Sequence, residues 1–195
     1  MLPPPGPANA EARESWVGNP WLYHDAKKNL SAFERNRVYL NHQGSEFFDI
    51  SFLTNADSDG DGRSAVPCDI NNDGMMDLLV RQVGGGPVLV FENRFPFQHW
   101  LKVSLRGTKS NSLGIGSRLV ADVGSQQIVR ELYPANTFQS QAPCYVHFGL
   151  GESTEIDRLT IRWPSGTTQV LEHVPADQHI EVFEGEPQAR RIAAR

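Results

Sequence analysis

The sequence predicts an all-β chain, and the pattern of runs and turns carries the prediction. From His99 onward, apolar residues alternate with polar ones in about seven short runs separated by Gly- and Pro-containing turns, the spacing of a β-sandwich. Upstream of that, two pairs of β-rich runs flank short turns and read as hairpins. Between the hairpins lies the stretch DSDGDGRSAVPCDINNDGMMD, residues 57–77, which reads as two acidic loops joined by a strand at Ser64 to Cys68. The second loop runs into an apolar stretch from Asp77, so it feeds a strand.

In chain order, residues 1–33 are rich in Pro, Ala and Glu and read as an arm or linker, with Trp16, Trp21 and Tyr23 expected to pin it onto the β core. Arg37 to Asn41 and Glu46 to Phe52 flank His42-Gln43-Gly44-Ser45, the first hairpin. Asp77 to Gln82 and Pro87 to Glu92 flank Val83-Gly84-Gly85-Gly86, the second. Asn93 to Gln98 is the expected joint between a 34–95 repeat and a 96–184 sandwich, because Pro96 breaks the pattern. Predicted sandwich strands are Trp100 to Leu105, Arg118 to Val123, Gln126 to Leu132, Tyr145 to Phe148, Arg158 to Trp163, Thr168 to His173 and His179 to Phe183. Gly114-Ile115-Gly116 is a β-turn in this reading, and the 185–195 tail is frayed or a short helix.

The second acidic loop has the chemistry of a calcium site. Asp69, Asn71, Asp73 and Asp77 place oxygen ligands at positions one, three, five and nine, with the Met75 carbonyl at seven, and Gly74 lets the chain reverse. Ca²⁺ takes six to eight such mixed oxygen donors. Position twelve is Val80, where a helix–loop–helix calcium loop carries Glu. The first loop, Asp57, Asp59, Asp61 and the Arg63 carbonyl, begins alike but has Ala65 where the fourth carboxylate belongs, and it is the weaker metal candidate. An Asp/Gly sequence also forms solvated turns without any ion.

Composition narrows the function. With 195 residues, 39% of them hydrophobic, there is material for a packed core, and a net charge of −5 with scattered Lys and Arg gives no footprint for nucleic acid. No run of eighteen apolar residues is present to span a membrane. The start, MLPPPGPANA, lacks the basic and apolar regions of a signal peptide. Cys68 and Cys144 leave open an interdomain disulfide or two buried thiols, the commoner outcome. There is no nucleophile elbow, HExxH, phosphate loop or CxxC pair, and the six histidines are dispersed. Among the aromatics, Trp100 and Trp163 sit in alternating strands and are expected in the core. Tyr133 and Phe138, in the YPANTFQSQAP loop, are the candidate ligand-binding pair.

The ordered set LRGTKSN, GIG, HFGLG and RWPSG, following the Asp loop, carries a family resemblance. From about Trp100 to Glu184 the chain resembles an ASPIC/UnbV domain. The preceding ERNRVYLNHQGSEFFDIS and acidic stretch resemble an FG-GAP or VCBS-type repeat, the calcium-loop blade of β-propellers, in the order seen in the C-terminal portion of cartilage acidic protein-like chains. The resemblance implies an all-β chain: a single propeller-blade-like repeat with a calcium loop, then a β-sandwich. It also implies an exported or cell-surface protein with Ca²⁺ as its ion. A lone blade cannot close a ring, so upstream blades and a signal are expected in a longer protein. The implied function is a non-enzymatic, calcium-stabilised extracellular adhesion or protein-interaction module with protein or glycan partners at the cell surface. Its alternatives are a carbohydrate-binding accessory module and a part of a biosynthetic or hydrolytic enzyme.

Overall fold

The computed structural model describes residues 35–42, 44–58, 62–82, 87–138 and 140–193. The 1–33 arm with its three aromatics, the 83–86 turn, and Asp59 and Asp61 of the first acidic loop lie outside them. The described residues form strands and turns and contain no helix. None is therefore long and apolar enough to cross a membrane. The chain divides into two units: one drawn from Met1–Val66 and Leu78–Phe91, the other from Pro67–Asp77 and Glu92–Arg195.

The first unit is built from hairpins. β1 (Tyr39–His42) pairs antiparallel with β2 (Glu46–Asp49), from Tyr39 opposite Asp49 to His42 opposite Glu46. Gly44 takes a left-handed φ of 78° in the turn, as the predicted hairpin requires. Ser51, 1% exposed, closes the open end by accepting the Val38 N–H at 2.8 Å. A three-stranded sheet follows in the order β3 (Gly62–Cys68), β4 (Asp77–Gln82), β5 (Leu89–Phe91). The strand expected at Ser64 to Cys68 is β3, which begins two residues earlier at Gly62. It runs through Pro67, and it can do so because it is an edge strand, where a missing N–H need not break the ladder.

The second unit is a sandwich of two four-stranded sheets. One has the order β11 (Val146–Gly151), β6 (His99–Arg106), β14 (Gln178–Phe183), β15 (Arg190–Ile192). The other has β13 (Thr168–Pro175), β12 (Glu155–Arg162), β7 (Arg118–Val123), β8 (Gln126–Glu131). All pairs with assigned register are antiparallel except β6 with β14. Period-two alternation aims one face of each strand inward: Leu101, Val103 and Leu105 from β6 meet Leu119 and Ala121 from β7 and Ile156, Leu159 and Ile161 from β12, all within 1% of complete burial. Trp163 joins this core as expected, and its indole N–H is satisfied by Gln169 at 3.1 Å.

Two predictions fail locally. The stretch after Glu184 is β15, paired with β14 from Glu181–Arg190 to His179–Ile192, so the tail is neither frayed nor helical there. Pairing with an existing sheet edge satisfies its backbone, which composition cannot reveal. The YPANTFQSQAP loop contains a short hairpin, β9 (Ala135–Thr137) with β10 (Ser140–Gln141). Both cysteines are free and half-buried, without a bridge.

Two of the four family-like motifs meet at one carboxylate. Glu184, 5% exposed, accepts the N–H groups of Thr108, Lys109 and Ser110 at 2.8–2.9 Å, the Ser110 hydroxyl at 3.0 Å, and the Ser165 hydroxyl. LRGTKSN and RWPSG are thereby tied to the end of β14. Next to them Gly114 takes φ 63° in the turn expected at 114–116, and a Cβ there would lie 2.8 Å from Leu105 and 3.1 Å from Trp163. Burial pushes the Glu184 carboxyl up, but the Ser110 N–H, the Ser165 hydroxyl and the Lys109 and Thr108 N–H groups outweigh it and bring its pKa from 4.5 to about 2. A depressed carboxylate pKa stabilises the fold above its unfolded value, and that contribution is lost as pH falls from 4.5 toward about 2. Glu184→Gln should melt lower than wild type at neutral pH and show a shallower fall of Tm through that acid window, as followed by circular dichroism.

Candidate functional site

The loop between β3 and β4 winds around its own carboxylates. Asp69 accepts the Asp73 N–H at 3.1 Å on one oxygen and the Gly74 N–H at 2.8 Å on the other. Asp73 accepts the Met75 N–H at 2.7 Å and the Asn71 amide at 2.8 Å, and the Asn71 oxygen accepts the Asp73 N–H at 3.2 Å. Asp77, 2% exposed, closes the loop with the Ile70 N–H at 2.9 Å and the Asn93 N–H at 2.8 Å. Asn72 and Gly74 supply the two left-handed residues, φ 61° and 89°, that the reversal needs, and Asn tolerates that region better than most. All five predicted ligand residues thus belong to one tight turn. Among the described residues, no group of three or more Asp, Glu, His or Cys side chains is already placed to hold a metal ion.

The loop is docked on the outer face of β6 by residues that sequence reasoning passed over. Trp100, Lys102 and Ser104 alternate with the inward Leu101, Val103 and Leu105. Lys102, its side chain 6% exposed, pairs with Asp69, whose side chain is fully buried. The ammonium also lies 4.9 Å from the centre of the Trp100 ring and 5.6 Å from that of Tyr145, within reach of favourable cation–π contact. His147 of β11 stands opposite Lys102 in the register and donates through Nε2 to the Gly74 carbonyl at 2.8 Å. Its ring stacks on Trp100, centres 6.4 Å apart and 11° from parallel. Gly74 lies so close to the indole that any Cβ would enter the ring. Trp100 is therefore half-buried under the loop and lies outside the sandwich core, contrary to expectation, because its strand phase points it away from Leu101 and Val103.

This packing sets the protonation of the site. Burial pulls the His147 pKa below its ordinary 6.5, so the ring is neutral at physiological pH and can keep its Nε2 proton for Gly74. Burial pushes the Cys68 thiol up, and the Asp77 and Asp69 charges push it further, which makes it a poor nucleophile. Lys102 was legible only as an outward position in β6, and nothing in the sequence paired it with Asp69.

The remaining candidates stand apart from this loop. In the first acidic stretch Asp57 is ion-paired with Arg35 at 2.9 Å and also receives that guanidinium on its carbonyl at 3.2 Å, while Arg63 lies on β3. Tyr133 and Phe138 are 68% and 60% exposed. Tyr133 borders a cleft of about 320 Å³ with Pro134, Pro143 and Tyr145, and Phe138 sits at the tip of the β9–β10 hairpin.

Fold and site together define an all-β, sandwich-like chain with a docked acidic loop. Residues 107–189 match the family model described as ASPIC and UnbV, so the sandwich carries an ASPIC/UnbV domain. That span covers the Glu184 junction and most of the core strands and leaves the acidic loop and β6 outside it. No curated protein matches the chain.

Lys102→Met would leave the Asp69 carboxylate buried beside an apolar side chain. Removing one partner of a buried pair costs roughly 3–5 kcal/mol, and the two N–H groups still bound to Asp69 place the expected loss near the lower end. Urea denaturation should show that loss, and Lys102→Met combined with Asp69→Asn should recover part of it.

Proposed function

We propose that the chain is a non-enzymatic, calcium-stabilised adhesion or protein-interaction module that works outside the cell or at its surface. The carrying observation is the winding of the acidic loop. Its carboxylates and amide oxygen are gathered by short N–H bonds, each of which uses one lone pair and leaves others for a cation. Asp69, Asn71, Asp73, the Met75 carbonyl and Asp77 would hold the ion, a donor set of oxygen atoms that suits Ca²⁺. The ion would neutralise the carboxylates that Lys102 does not reach. The FG-GAP/VCBS reading of residues 34–95, with further blades in a longer protein, supports the same role and a protein or glycan partner at a cell surface. Asp57, Asp59, Asp61 and Arg63 remain the weaker second site.

A carbohydrate-binding reading stands beside it. The two strongly exposed aromatics, Tyr133 and Phe138, favour it, since exposed rings can stack on sugars.

Calcium should raise the melting temperature by mass action, worth about 2.7 kcal/mol when free ion is a hundredfold above its dissociation constant. Asp73→Ala should lose most of that gain and Asp59→Ala little of it. Magnesium should substitute poorly, because it demands a tighter octahedron. Scanning calorimetry in chelator and then in millimolar calcium reads all three, and an unchanged wild-type midpoint would remove calcium from the proposal.

A further inference from the structure

Lys102 reaches the first residue of the proposed ligand set. Its ammonium pairs with Asp69, and both side chains are buried. An ionised carboxylate offers about four acceptor sites, and three on Asp69 are taken, by Lys102 and by the Gly74 and Asp73 N–H groups. Asp73 and Asp77 each accept two hydrogen bonds, none of them from a cation. We propose that Lys102 is a built-in cation of the acidic loop, one that holds the loop wound without calcium, weakens calcium binding and fixes the charge of ion the loop prefers. The inference rests on the calcium reading above and concerns how that site is regulated.

The surroundings commit the ammonium to this carboxylate. Lys102 stands in β6 between Leu101 and Val103, both fully buried, so the strand that carries it is fixed in the sandwich. Trp100 and Tyr145 enclose the ammonium, and His147 of β11 and His179 of β14 stand opposite Lys102 in the register. None of these four brings a negative charge. With Asp69 turned onto β6, no three Asp, Glu, His or Cys side chains among the described residues are placed to hold an ion, yet the loop is fully wound.

Charge then sets the preference. The carboxylates of Asp69, Asp73 and Asp77 less the one ammonium leave two negative charges, which a divalent ion neutralises. A fixed positive charge repels an approaching ion in proportion to the charge of that ion. Removing the Lys102 charge should therefore strengthen the binding of a trivalent ion more than that of a divalent one. A side chain that acted through packing alone would move both affinities alike.

The test is calorimetric titration of the full chain, as wild type, Lys102→Gln and Lys102→Arg, with calcium and with trivalent terbium. Glutamine keeps a donor for Asp69 and removes the charge, and arginine keeps the charge. Lys102→Gln should bind calcium roughly tenfold tighter than wild type and terbium roughly thirtyfold tighter, the ratio that Coulomb's law sets between the two ions. Lys102→Arg should stay close to wild type for both. Equal or weaker calcium binding in Lys102→Gln, or equal gains for the two ions, would overturn the role of Lys102 and leave the calcium reading standing. Calcium binding by Lys102→Gln and not by wild type would uphold Lys102 and remove calcium from the natural chain. Silence from every variant would overturn both. Hydrogen exchange of the wild type in chelator needs no variant: the Asp73 and Gly74 N–H groups, both held by Asp69, should be protected. Rapid exchange there would overturn the built-in cation even if Lys102→Gln failed to fold.

Discussion

The buried pair between Lys102 and Asp69 is the interaction on which the arrangement of the acidic loop depends. Placing an ammonium and a carboxylate out of water is costly, and their attraction offsets that cost only when the remaining hydrogen-bonding capacity is also used. Here it is used. Asp69 receives two backbone N–H groups from its own loop, and the ammonium faces two aromatic rings. The pair therefore defines a place more than it adds stability: the loop is settled only where Asp69 can reach Lys102. Gly74 and His147 follow from that, since the loop then lies against Trp100 at a distance only glycine permits and its carbonyl meets the His147 ring.

β6 makes the arrangement possible because it serves two faces at once. Leu101, Val103 and Leu105 anchor it in the sandwich core, so Trp100 and Lys102 project from a strand that has little freedom to shift. Its parallel neighbour β14 extends the same outer face through His179, opposite Lys102 in the register, and, at its far end, hands the chain to Glu184. That carboxylate collects donors from segments more than fifty residues apart, Thr108 to Ser110 and Ser165. The polar residues in those motif-like stretches are explained by this junction. They order turns at one edge of the sandwich.

Much of the fold was legible because strand alternation is a local property. A residue at the wrong phase would place a polar group in the core or an apolar one in water, so β4, β7 and the inward faces of β6 and β12 can be read from the chain itself. The acidic loop was legible for a related reason: the spacing Asp69, Asn71, Asp73, Asp77 with Gly74 makes a turn whose side chains bond to its own backbone within nine residues. What failed was non-local. The pairing of 190–192 with β14 and the exit of Trp100 from the core each depend on a neighbour distant in sequence.

Sequence alone determined that this chain is all-β, that residues after His99 form a sandwich, and that 69–77 is an oxygen-rich turn, because each is encoded by spacing within a few residues. Tertiary structure decided which face of β6 meets that turn, that Lys102 is the cation buried against Asp69, and that Trp100 lies outside the sandwich core. Those outcomes belong to the register of β6 against β11 and β14. A one-residue slip would exchange the two faces of every side chain involved, and only the closed core, with Phe148 and Leu101 completely buried, selects the register that is observed.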